Sequence, residues 1–205
     1  MSKITQPLNN DFVYAEKNEE WLCEPSPFNE FDNDWKSLII FYVFHVPVPD
    51  LSVRAKSLES FGWGSKSKTN DFKTLKSRLI KYGNMTKTSF ACETSWAKLK
   101  ESFKDNNLLN FPIDLTSERV AYRKTKAGEN DSLLAHIRNS FAHGRLAFYN
   151  IGGETYIAME DVDNSKHVSA RMILSKKTLC RWKIIIESGP FKTDEELAVI
   201  IATEE

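Results

Sequence analysis

Apolar residues fall mainly at helical spacing up to about residue 144 and at strand spacing after it. Residues 35–45 are apolar nearly all round and stop at the Pro47-Val48-Pro49 breaker, so they form a buried element. Their β-branched and aromatic content favours a strand, their length and surroundings favour a helix, and they are read as a helix. A second helix is expected after Asp50. Residues 70–82 place Phe72, Leu75 and Leu79 at i, i+3 and i+7, with lysines and Arg78 on the remaining arc, which predicts an amphipathic helix. Residues 88–104 continue the pattern through Phe90, Trp96, Leu99 and Phe103, until Asn106-Asn107 ends it. Thr116 can cap a short helix through Ala121, and a longer helix starts at Asn130-Asp131-Ser132 and carries Leu133, Leu134, Ile137 and Phe141.

Beyond Gly144, residues 146–151 and 154–159 flank Gly152-Gly153, whose permissive dihedrals suit a tight hairpin. Residues 167–174 alternate well enough to add a third strand. Ser175 then caps a helix through Leu179, Trp182, Ile185 and Ile186, closed by Ser188-Gly189-Pro190, and an acidic tail or final short helix follows. The pattern predicts one mainly α domain. An acidic arm spans 1–34, a helical core 35–144, a β-hairpin or three-stranded appendage 145–174, and a C-terminal helix with acidic tail 175–205.

With 205 residues, 41% of them hydrophobic, the chain can bury a sizeable single core. Its 28 basic and 28 acidic residues cancel, so only a local charge pattern could attract a polyanion. Two blocks stand out. Residues 1–34 hold eight acids against Lys3 and Lys17, while residues 61–87 hold Lys66, Lys68, Lys73, Lys76, Arg78, Lys81 and Lys87 against Asp71 alone. Either block reads most simply as a solvated face, although the acidic arm could also mimic RNA and cover the basic segment. Cys23, Cys92 and Cys180 form no CxxC pair and read as reduced thiols. With no HExxH and no glycine-rich phosphate loop, neither a metal nor a cofactor is expected. The first residues lack an apolar signal region, and the longest apolar run, 38–44, is far short of the ~20 residues of a membrane helix. A soluble, cytoplasmic protein is expected.

The densest chemistry lies in Arg138-Asn139-Ser140-Phe141-Ala142-His143-Gly144. Arginine grips phosphate oxygens through a planar fork of donors, and histidine exchanges a proton near neutral pH. On a helix Asn139 and His143 share a face, with His136 further back along the same stripe. Arg138 lies about 140° from His143, at ~100° per residue. Either the helix loosens near His143, where Gly144 suits the C′ position, or a second copy of the motif completes the site. Metal-free RNA cleavage needs a base for the 2′-hydroxyl, an acid for the leaving 5′-oxygen and cations for the phosphorane, which two copies would supply.

Arg138-Asn139-x3-His143 resembles the Arg-polar-x3-His signature of the HEPN superfamily, where the polar residue is commonly asparagine and where Gly144 also fits. The resemblance implies a HEPN-like helical bundle, with Arg138 and His143 catalytic and Asn139 orienting or contacting the phosphate. It further implies a homodimer through the motif helix that builds a composite, metal-independent ribonuclease site, leaving a 2′,3′-cyclic phosphate and a 5′-hydroxyl. RNA is the expected partner, and an antitoxin protein a possible one. Plasmid- or phage-defence members of the superfamily are the nearest in kind. Arg145, His136 and Ser140 are further substrate-binding candidates, although Arg145 could instead pair with an acid and His136 suits packing. The alternatives are a non-catalytic HEPN module that binds RNA or recruits a partner, and a helical interaction protein whose motif packs a dimer interface. His45 and His167 have no evident partners, Arg119, Arg123, Lys124 and Lys126 form a basic cluster upstream, and Trp63, in a glycine-flanked loop, is expected to plug the core rather than touch a base.

Overall fold

A computed structural model describes residues 33–54, 56–64, 70–110 and 114–204. Helix α1 (Asn33–Ile39) runs on into a π-helical turn (Ile40–Phe44), and a 3-10 turn (Leu58–Phe61) leads towards α2 (Asn70–Tyr82). Then follow β1 (Phe90–Glu93), α3 (Trp96–Asp105), β2 (Arg119–Arg123), α4 (Glu129–Ala142), β3 (Leu146–Ile151), β4 (Glu154–Val162), β5 (Val168–Ser175), α5 (Lys176–Ser188) and α6 (Asp194–Glu204). The strands form one five-stranded mixed sheet in the order β1-β2-β5-β4-β3, with β1 parallel to β2 and every other pairing antiparallel.

This architecture corrects the expectation of a mainly α, HEPN-like bundle. The chain is an α/β fold, and the strands read as an appendage are three of the five in its central sheet. Two predicted helices are replaced by strands. Residues 90–93 pair with β2, and the helix begins only at Trp96, where the Ser95 hydroxyl accepts from the Lys98 N–H. Residues 119–123 are β2, four of whose five residues are buried. A short apolar run covered on both faces loses the alternation that marks a half-exposed strand, so its period does not distinguish it from a helical segment. Thr116 does not cap a helix; with Ser117 it donates to the Asp114 carboxylate in a turn that leads into β2. After Asp50 the chain makes turns and a 3-10 segment instead of a long helix.

Other expectations match. Helix α2 has the predicted bounds, and Ser175 caps α5 by accepting from the Thr178 N–H. The hairpin turns at Gly152-Gly153, both at positive φ (61° and 83°). Trp63 is 1% exposed and donates to the Ile186 carbonyl across 2.8 Å, which places it in the core. The acidic arm up to residue 32, Cys23, Lys66 and Lys68 lie outside the described residues. No described helix is long and apolar enough to cross a membrane.

Strand alternation divides the core. Val120 and Tyr122 of β2, Ile157 and Met159 of β4, and Ala170, Met172 and Leu174 of β5 point into a large cluster with α1, α2, α4 and α5. Ala121, Ala158, Val168 and Ile173 point the other way, onto Leu99 and Phe103 of α3 and onto Leu108. All eight residues of β5 are buried. The buried indoles of Trp63 and Trp182 reach backbone acceptors, Trp182 at the Leu79 carbonyl across 2.8 Å.

Helix α4 starts with a half-buried liability. Burial, with the Glu59 charge adding to it, pushes the Asp131 carboxyl up to about 6. Between about pH 4 and 6 the folded state therefore holds a proton that the unfolded chain has released, so stability falls as pH rises through this window. Asp131→Asn is expected to raise stability at pH 7.5 by about 1 kcal/mol, after allowance for partial solvent access, with the gain disappearing towards pH 4. Urea denaturation at both pH values checks this.

Candidate functional site

Helix α4 packs across β4 and β2 and against the π-helical turn after α1. Leu133, Leu134 and Ile137 hold it to the sheet, which leaves Arg138 and Asn139 half-buried at the edge and His143 exposed at its end. The helical bond from the His143 N–H to the Asn139 carbonyl (2.9 Å) persists to the last residue of the motif. Gly144 follows at φ 63°, in the left-handed conformation that ends helices. The helix therefore does not loosen before His143, and the offset of about 140° between Arg138 and His143 stands.

Behind the motif lies a polar chain. His136 is buried, its Nδ1 2.6 Å from Oδ2 of Asp161 and its Nε2 2.8 Å from the Arg123 carbonyl. A carbonyl only accepts, so Nε2 carries a hydrogen, and Nδ1 and the carboxylate share a proton between them. Asn139 donates from Nδ2 to the same Asp161 oxygen at 3.2 Å, and the other carboxylate oxygen accepts from the Val162 N–H at 2.8 Å. Arg138 donates from Nη1 to Oδ1 of Asn139 at 3.3 Å, while its Nε is buried without a partner among the described residues. The guanidinium is thus tied to the sheet through Asn139, Asp161 and His136. The Tyr122 ring meets the His136 ring edge-on at 5.9 Å and fills the space behind it.

Arg145 and Ser140 have different surroundings. Arg145 lies opposite Glu160 as β3 begins, and its guanidinium pairs with that carboxylate at 3.5 Å. Glu160 in turn accepts from Nε and Nη2 of Arg171, both at 3.0 Å, and Arg171 also donates to the Leu108 and Leu109 carbonyls. Burial pulls the Glu160 carboxyl upward, and the two arginines oppose it. Strand alternation places this network towards α3, away from the His136–Asp161 pair. The buried Ser140 hydroxyl is shared between the His136 and Glu160 carbonyls. Of the upstream basic cluster, Arg123 stacks over Trp96 at 4.2 Å and Arg119 donates to the Asp114 carbonyl. His167 faces Asp163 and the Trp96 ring.

Asp161, Glu160 and Arg171 carry both networks, and sequence reading did not single them out. The sequence pattern predicts the strand over 154–159, so the two acids fall just beyond its expected end. The available signal was two adjacent acids continuing an apolar strand, since buried carboxylates need cationic or hydrogen-bonding partners. Two half-open clefts of about 320 and 400 Å³ lie elsewhere, one between α1 and α5 and one at the start of α5, and neither contains a motif residue. Among the described residues no three His, Cys, Asp or Glu side chains gather as a metal-binding group.

Compared with known proteins, the chain matches no family model, no curated protein and no solved structure. Breaking the buried pair by His136→Ala leaves Asp161 without its closest partner, and is expected to cost about 3 kcal/mol of stability. Chemical denaturation of the two proteins at pH 7 measures it.

Proposed function

We propose that the protein is a metal-independent endoribonuclease whose active unit is a homodimer joined at the motif helices, consistent with the HEPN-like signature. The observation that carries this reading is the contrast within the motif. Arg138 is anchored through Asn139, whereas the His143 imidazole is exposed and makes no side-chain hydrogen bond or ion pair among the described residues. A phosphate binder needs a fixed position, and a proton carrier needs an open one.

The unbroken helix favours a site built from two chains. With Arg138 and His143 about 140° apart on one helix, a second copy brings its own pair to the same phosphate. One His143 takes the proton of the 2′-hydroxyl as the 2′-oxygen forms its bond to phosphorus. The P–O5′ bond breaks, and the other His143 gives its proton to the departing 5′-oxygen. The two Arg138 guanidinium groups bind the negative charge that builds on the phosphorane oxygens. A 2′,3′-cyclic phosphate and a 5′-hydroxyl result, with atoms and protons balanced.

In EDTA, the wild-type protein is expected to cut a mixed RNA pool and leave cyclic phosphate ends. His143→Ala should lower the rate by about 10²-fold or more and Arg138→Ala by about 10²–10³-fold. End-group analysis of the fragments, with initial rates, makes the test. Fragments from wild type and His143→Ala at equal rates would overturn the reading, and RNA binding by both without cleavage would favour a non-catalytic RNA-binding module.

A further inference from the structure

We propose that Asp161, clamped by His136, is a positioning residue that fixes the direction of the Asn139 amide and, through it, the Arg138 guanidinium. This inference rests on the ribonuclease reading only for its effect on turnover. The positioning itself is a statement about hydrogen-bond direction.

Every group that meets the Asp161 carboxylate is a donor or shares its proton. The Val162 N–H takes one oxygen, and His136 Nδ1 and Asn139 Nδ2 meet the other. Because the carboxylate accepts there, the Asn139 amide must turn its NH2 towards Asp161 and its carbonyl oxygen away from it. That oxygen is the one Arg138 Nη1 donates to. An asparagine amide free to flip could also present NH2 to the guanidinium, donor facing donor. Asp161 removes that freedom. Its side chain is 5% exposed and that of His136 6%, so water does not compete for these bonds. The backbone holds the carboxylate at a register shift between Asp161 and Val162, where the strand irregularity brings the Val162 N–H onto Asp161's own side chain. On the far side the Arg123 carbonyl fixes the His136 ring. The anchor thus reaches back to β2.

The polarity of this chain can be reversed on paper. In Asp161→Asn the new amide keeps its oxygen on the Val162 N–H and turns its NH2 towards Asn139. Asn139 must then flip to accept from it, and so presents NH2 to Arg138. Adding Asn139→Asp restores an acceptor towards Arg138, because a carboxylate at 139 accepts from both sides. His136 also remains satisfied in the double variant, as a neutral ring that donates from Nε2 to the Arg123 carbonyl and accepts at Nδ1 from the NH2 at 161.

The test compares wild type, Asp161→Asn and Asn139→Asp/Asp161→Asn, using nitrogen-detected NMR of the Arg138 guanidinium and RNA cleavage with separate kcat and KM. Rotation about the Arg138 Cζ–Nη bonds should be hindered in wild type, freed in the single variant and hindered again in the double. Cleavage should follow, with kcat falling about 10²-fold in the single variant and recovering at least tenfold in the double, since misplacing a transition-state contact acts on turnover more than on binding. Guanidinium signals identical in all three folded proteins would overturn the inference whatever the activity. So would a double variant that folds but shows no recovery of hindered rotation. The expected NMR pattern without RNA cleavage by wild type would uphold the positioning and remove the nuclease reading instead.

Discussion

The structure depends on the burial of β5 between β2 and β4. An eight-residue strand with both faces covered must satisfy its backbone through two ladders and its side chains through two separate clusters, and helices on the two sides of the sheet supply that cover. The cost appears at Arg171, which is 2% exposed. Its guanidinium is acceptable in such a place because Glu160 and two backbone carbonyls surround it, so the strand carries its own counter-ion on the neighbouring strand. The neighbouring strand β4 also carries Asp161, the acid that organises the polar surroundings of α4.

Elements with a wet face, a turn or a cap signal were legible in the sequence, as was β5 through its alternation, whereas the short strands β1 and β2 were not. Helix α2 has one wet face, so its lysines and leucines print the period of 3.6. The hairpin declared itself through two glycines, and α5 through a serine cap. Strands β1 and β2 are short, β2 is largely covered, and a helix-like spacing of aromatics from Phe90 to Phe103 runs straight through a strand, a turn and a helix. Tertiary pairing with residues about 30 positions away, Phe90 with Val120, decided what local pattern could not.

The candidate site divides in the same way. Arg138, Asn139 and His143 are contiguous and were visible as a motif. Asp161 was not, because its meaning comes from contacts 22 and 25 residues back along the chain. His136 sat on the visible stripe, yet its burial against the sheet is a property of the α/β architecture; on a bare helical bundle no β4 carboxylate would wait beneath it. Arg145, next to the motif in sequence, was carried to the other side of the sheet by the first step into β3.

Glu160 and Asp161 are consecutive, and the pleat sends them to opposite sides, one to the arginines and the other to His136. A one-residue slip of β4 against its neighbours would exchange the two, setting a longer acid where the shorter one fits and parting both from their partners. Two adjacent charges therefore act as a molecular vernier. They penalise every misalignment by a single step, and hold in register a sheet whose apolar residues, buried on both sides, would discriminate only weakly between faces.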